Sequence, residues 1–216
     1  QHDSNIYFSR GAAKYTLKDY KTALPDLDKA INTGTTDPIA FDMRGYCRYE
    51  NKNYNEAIKD FDEAIAKDPK LALAFFHRGD TKFSVDNTAG AVQDYTQAIA
   101  LGLSDAILFN NRGKAYFKQQ NYPLAIADFR SALDKKPDYA KAYENRGMAY
   151  FNTKKYEEAA KDFREVEKLS PKPDPDLLRM LGNTYYNLDK FPLARDYYDQ
   201  VINSGAKDKE VFYKRG

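Results

Sequence analysis

The chain has 216 residues, 34 Lys+Arg against 32 Asp+Glu for a formal net charge of +2, and a single cysteine. So even a balance argues against the concentrated basic stripe of a nucleic-acid or anionic-membrane surface, and no apolar run approaches the length that crosses a bilayer. One cysteine excludes an internal disulfide, and the place of Cys47 inside a helical pattern reads as a small buried side chain.

The chain opens at Gln1 rather than Met, which favours an exported or periplasmic location after removal of a leader over a cytoplasmic one. From there Gly11, Gly45, Gly79, Gly113, Gly147, Gly182 and Gly216 follow at intervals of 34, 34, 34, 34, 35 and 34 residues. Every one except Gly182 follows an arginine. With each glycine set at position eight, the units run over 4–37, 38–71, 72–105, 106–139, 140–173 and 175–208, and 209–216 begins a seventh. Residues 1–216 thus read as a single array, in which each unit contacts its neighbours.

Within each unit the spacing predicts two helices. The first unit carries Tyr7, Gly11 and Tyr15 on one stripe and Ala23, Leu27 and Ala30 on a second; the next carries Phe41, Gly45 and Tyr49, then Ala57, Phe61 and Ala64. The third to sixth units repeat this pattern, as in Phe109, Gly113 and Phe117 followed by Ala125, Phe129 and Ala132. Polar turns such as Lys52-Asn53 and Gln119-Gln120-Asn121 separate the two stripes. Apolar periodicity continues through the glycines, so they are not helix caps. A glycine inside a helix costs about 1 kcal/mol relative to alanine, and close approach of two helices at positions eight and twenty accounts for it. Pro25 falls inside the second helix of the first unit, which predicts a late start near Lys21 or Thr22, or a kink. Pro123 and Pro192 sit at helix starts. The extra residue in Pro171-Lys172-Pro173-Asp174-Pro175 predicts a local change of pitch.

Asp occupies position twenty-three in six units, from Asp26 to Asp196, and Arg position seven in all but the sixth, where Leu181 stands. A structural Arg–carboxylate network accounts for this better than a charged ligand ladder. If each Asp reaches the next unit's Arg, Asp162 is left alone; if pairing stays within a unit, Asp196 is. The first arrangement is the one expected.

The pattern of large residue, Gly, aromatic, Ala, aromatic and Pro at these offsets resembles the tetratricopeptide repeat over essentially the whole chain. Departures are Arg at position seven and Lys14, Arg48 and Lys82 at position eleven, where Tyr116, Tyr150 and Tyr185 keep the aromatic. The resemblance implies an all-α, right-handed superhelical solenoid of antiparallel helix pairs whose first helices line a concave groove. On that groove it places Tyr46, Tyr49, Phe76, Asp80, Phe83, Ile107, Lys114, Arg179 and Asn183, with Ile39 and Leu73 among their neighbours. Position twelve aromatics such as Tyr49 and Phe83 also pack sideways on one another. Asn111 and Asn145, repeated at position six, offer amides to a peptide backbone.

What the groove implies is a protein or peptide ligand bound by a non-enzymatic scaffold. The family's carboxylate-gripping set is incomplete: Arg179 and Asn183 match in part, but Lys214 stands where Asn is expected. Catalysis has little to stand on, because His2 and His77 are distant from each other and from Cys47, and no glycine-rich phosphate loop follows a strand. No metal and no cofactor are expected. An accessory domain of a larger enzyme or signalling protein is the alternative function. The last helix, with Val201, Ile202 and Phe212, suggests end-to-end self-association.

Overall fold

In the computed structural model the described residues are 2–170, 172, 174–205 and 209–215. Among them every regular element is a helix: α1 (His2–Thr16), α2 (Tyr20–Asn32), α3 (Pro38–Glu50), α4 (Tyr54–Lys67), α5 (Ala72–Ser84), α6 (Thr88–Ala100), α7 (Ala106–Lys118), α8 (Tyr122–Lys135), α9 (Ala140–Asn152), α10 (Tyr156–Leu169), α11 (Pro175–Asn187), α12 (Phe191–Asn203) and α13 (Lys209–Arg215). They fall into two compact bodies, Gln1–Ser104 with α1–α6 and Asp105–Gly216 with α7–α13. The chain is thus all-α, built from helix pairs.

Contacts of shrinking sequence separation show each pair to be antiparallel. Lys29 lies over the Tyr7 ring, Gly11 faces Leu27, and Tyr15 meets Tyr20 next to the turn. Every turn within a pair uses one left-handed residue that is not glycine: Lys18, Lys52, Asp86, Gln120, Lys154 and Asp189, with φ between 57 and 68°. That residue reverses the chain, and in three units a side chain caps the next helix: Asp19 accepts from the Thr22 N–H, Asn87 from Gly90 and Asn121 from Leu124. The Asp19 cap explains a departure from expectation. α2 does not start late; it begins at Tyr20, in register with Tyr54, Tyr122 and Tyr156, and carries Pro25 in its interior. Pro123 and Pro192 do sit in first turns. The pitch change expected at Pro171–Pro175 involves Pro171 and Pro173, which lie outside the described residues.

The repeated glycine seats a ring. A Cβ on Gly45 would lie 2.7 Å from Cε1 of Phe61, and Gly79, Gly113, Gly147 and Gly182 meet Tyr95, Phe129, Phe163 and Tyr198 in the same way. Each of these aromatics, at position twenty-four, is essentially fully buried beside alanines such as Ala57, Ala64, Ala125 and Ala132. The close approach is therefore side chain against backbone.

The arginines settle the pairing question against the arrangement expected. Each Arg pairs with the Asp of its own unit, 16 residues on: Arg10 with Asp26, Arg44 with Asp60, Arg78 with Asp94, Arg112 with Asp128 and Arg146 with Asp162. These bonds are bidentate, as in Arg146 Nε and Nη2 to Asp162 Oδ2 and Oδ1 at 2.8 and 2.7 Å. Asp162 is accordingly paired and buried, while Asp196, opposite Leu181, is exposed. The physical reason is antiparallel packing, which puts positions seven and twenty-three at the same height on facing helices. Neighbouring units are tied through a different carboxylate at position twenty-five, Asp28 to Arg44 at 3.1 Å and Asp62 to Arg78 at 2.6 Å.

Position eleven serves the same network in two ways. In the first body Lys14, Arg48 and Lys82 add a second cation to the buried Asp, at 2.8, 2.9 and 2.8 Å. In the second body Tyr116 and Tyr150 lie beneath Arg112 and Arg146 at 5.8 and 5.9 Å. Hydrogen bonds from Arg10 pull the Asp26 carboxyl down to about 2 against the opposing effect of burial, with Lys14 adding to the pull. Burial pushes Asp162 up, with Arg146 acting against it.

Candidate functional site

In the first body α1, α3 and α5, with Tyr20 of α2 and Tyr95 of α6, bring together an aromatic cluster. Tyr15, Tyr20 and Tyr46 meet edge to face, with centroids 5.4 to 5.6 Å apart. Tyr46 continues to Tyr49 at 5.9 Å and to the His77 ring at 4.7 Å, and Phe76 closes the row against His77 and Tyr95. Beneath these rings His77 and Asp42 are both buried and joined Nδ1 to Oδ1 at 2.9 Å, tying α5 to α3. Burial acts against a proton on His77, but Asp42, with Asp80 adding to it, outweighs burial and raises the imidazole's proton affinity. Burial raises the Tyr46 hydroxyl pKa, and Glu50 raises it further.

Tyr49, Phe76, Asp80 and Phe83 are half-buried in this body. Asp80 accepts a hydrogen bond from the Tyr95 hydroxyl at 2.7 Å, so one of its oxygens supports the core ring that Gly79 seats. The position twelve aromatics have a partner within their own unit. Tyr15, Tyr49, Phe117, Phe151 and Tyr186 each pack on the aromatic that opens their own second helix, Tyr20, Tyr54, Tyr122, Tyr156 and Phe191. Antiparallel packing with a short turn puts those two positions side by side. On α3 and α5 the exposed apolar side chains stand at position two, where Ile39 is 44% and Leu73 46% exposed.

In the second body Ile107 occupies the same position on α7 and is 51% exposed. Lys114 and Asn111 are half-buried on that helix. The Asn145 amide donates to Asn110 Oδ1 at 2.9 Å, with Asn110 buried, and Asn110 reaches Asn111 Oδ1 at 3.5 Å. This Asn145–Asn110 bond is the counterpart of His77–Asp42: both join position six of one unit to position five of the preceding one. Arg179 pairs with Asp176 at 2.8 Å, and Asn183 accepts from the Tyr198 hydroxyl at 2.9 Å and from Lys214 at 3.2 Å. At the end of this body Val201 is buried with Val211 in one core cluster, so it offers nothing to a second copy, while Phe212 stays 48% exposed.

Cys47 is a buried free thiol whose pKa burial pushes up to about 12. No group of three or more His, Cys, Asp or Glu residues that could hold a metal ion occurs among the described residues. No helix among them is long and apolar enough to cross a membrane.

Three comparisons place this geometry. Family models described as tetratricopeptide repeat match residues 38–71, 76–140 and 110–174. A comparison with curated protein sequences finds no match. Among solved structures the chain is similar to PilW, described as a widely conserved type IV pilus biogenesis factor, with a TM-score of 0.80 and 18% identity over 99% of this chain and 98% of that one. It is similar to YrrB, described as a TPR protein with an unusual peptide-binding site, with a TM-score of 0.74 and 21% identity over 82% of this chain and 91% of that one. The C-terminal part of a TPR repeat-containing protein from Cytophaga hutchinsonii gives a TM-score of 0.77 and 21% identity over 91% and 78% of the two chains. At such identities the structural likeness establishes the fold alone. Together with the matched family models and the glycine-seated helix pairs, it establishes that the chain belongs to the tetratricopeptide repeat family.

Proposed function

We propose that the protein is a non-enzymatic scaffold that binds a peptide or an exposed segment of a partner protein on the face of its first helices. The observation that supports this best is the strip on the first body: Ile39 and Leu73 stand exposed beside half-buried Tyr46, Tyr49, Phe76 and Phe83. Aliphatic side chains at this one position are exposed in successive units, and packing gives no account of them. An apolar strip bordered by polar groups is the usual mark of an interaction surface. The YrrB structure described above as having a peptide-binding site shows that this fold carries such a role elsewhere.

Ile39 and Leu73, rather than Tyr46, are the residues that test the reading, because Tyr46 touches four other rings and supports the fold. A random peptide library selected on the native chain yields binders rich in apolar residues. Ile39→Ser with Leu73→Ser lowers their affinity at least tenfold and leaves the helical signal and unfolding midpoint in place, since exposed substitutions change stability by only about 0.5 kcal/mol. Binders that retain full affinity for the double variant would refute it.

A further inference from the structure

The junction of α9 and α10 with α11 differs from its counterparts in spacing. Its glycine spacing, Gly147 to Gly182, is 35 residues where the preceding intervals are 34. At two other junctions His77–Asp42 and Asn145–Asn110 join first helices at these positions; here they hold Met180 and Glu144, as the first junction holds Met43 and Phe8. A thioether and a carboxylate make no such bond, and Glu144 instead accepts from Lys141 of its own helix, both oxygens at 2.9 Å. At this junction a cavity of about 530 Å³ opens, with Phe163, Val166 and Leu177 among its lining and Met148 and Met180 beside them.

We propose that this cavity receives one uncharged apolar side chain, of leucine, methionine or phenylalanine type, from a partner peptide. The inference rests on the scaffold reading above and gives it a specific anchor. Its volume lies within the roughly 300–1,000 Å³ of sites that enclose a small organic group. Phe163, Val166 and Leu177 are buried and apolar, so a charged head placed against them would lose its hydration without return. Unbranched, polarisable methionine side chains at Met148 and Met180 adapt to aliphatic and aromatic occupants alike. Charges at the lining balance, Lys141, Lys172 and Arg179 against Glu144, Asp174 and Asp176, with Lys141 paired to Glu144 at 2.9 Å and Arg179 to Asp176 at 2.8 Å. The balanced charges favour neither a carboxylate nor an ammonium group, and they select against the charged terminus of a peptide in favour of an internal residue.

The chain has three methionines, Met43, Met148 and Met180, so methyl-labelled methionine places two reporters at the cavity and one, on α3, in the other body. N-acetyl-phenylalaninamide and N-acetyl-leucinamide, titrated into the full chain, shift the Met148 and Met180 methyl signals together on one saturating curve and leave Met43 unmoved. N-acetyl-lysinamide does neither. Met180→Glu weakens the Met148 response at least tenfold; should its helical signal fall, Met148→Glu read at Met180 serves instead. Shifts that do not saturate, that move all three methyls alike or that follow the lysine derivative equally would overturn the proposal. Tighter saturation by octanoate than by either blocked amino acid would overturn the peptide occupant. Peptide selection on Ile39 and Leu73 lies in the first body, so a silent cavity with intact selection refutes the anchor alone.

Discussion

Gly45→Ala is the sharpest test of how these helix pairs are held. Alanine raises the intrinsic stability of an exposed helix by about 1 kcal/mol relative to glycine, so propensity alone predicts a stabilised protein. The structure predicts the opposite. The new Cβ would lie 2.7, 2.9 and 3.0 Å from three atoms of the Phe61 ring, where ordinary contact begins at 3.4 Å. Phe61 is fully buried and has the His77 ring 5.9 Å away, so it has little room to withdraw. Overpacking of this kind costs about 1–3 kcal/mol, and the net loss expected is up to about 2 kcal/mol. Two companions grade the effect. Gly11→Ala meets Leu27, a flexible aliphatic, at 3.0 Å and Asp26 Cβ at 3.3 Å, and is the mildest; Gly182→Ala meets Tyr198 at 2.5 Å, with its hydroxyl held by Asn183, and is the most damaging. Urea unfolding followed by far-UV circular dichroism, with amide exchange in α1, α3 and α11 as the local readout, measures all three. A rise in midpoint for Gly45→Ala, or a Gly182→Ala no worse than Gly11→Ala, would refute the reasoning.

Other expectations follow from the buried charges. Arg146→Leu strands the buried Asp162 and costs about 3–5 kcal/mol, whereas Asp196→Asn, at the exposed counterpart, changes urea stability by only about 0.5 kcal/mol; equal effects would mean the pairs contribute nothing. The Arg146→Leu deficit also shrinks as pH falls, because burial already raises the Asp162 pKa and a protonated carboxyl needs no partner. The His77 pKa is raised in the folded chain, so its contribution is complete below the unfolded value of about 6.5 and is lost as pH rises through the folded value. Unfolding midpoints on both sides of that range should fall with pH for the native chain. They should be flatter in an Asp42→Asn, His77→Asn variant, which copies the Asn110–Asn145 pair. Cys47, buried and with its thiol pKa at about 12, reacts with a disulfide reagent at neutral pH only in step with unfolding. Rapid labelling of the native chain would contradict its placement.

Much of this architecture was legible because each unit repeats the same physical solution. Gly45 and Phe61, 16 residues apart, face each other across a turn, and the same spacing recurs from Gly11 and Leu27 to Gly182 and Tyr198. The direction of the Arg–Asp pairs was misread because periodic spacing fits either choice of neighbour, and only antiparallel packing decides between them. Leu181 was the useful signal, since the lost Arg exposes Asp196 and leaves Asp162 buried. A second signal lies in the core tyrosines. Position nine is Asp80 or Asn183 in the two units where position twenty-four is Tyr95 or Tyr198, and the hydroxyl explains the match. Two residues expected to meet a ligand are therefore partly committed to the core, as Asn145 is through Asn110. The ring network at Tyr46 joins side chains from α1, α2, α3 and α5, and no single unit's pattern reveals it. The exposure of Ile39 and Leu73 in the first body, and of Ile107 in the second, followed from their shared position two in the repeat.

Hydrogen–deuterium exchange of the native chain, with and without a library-selected peptide, tests the scaffold reading most directly. The account predicts slower exchange in α3 and α5, the first helices that carry Ile39 and Leu73, with α4 and α6 unchanged. Protection confined to α4 and α6, or a library that yields no peptide able to slow exchange anywhere, would contradict it.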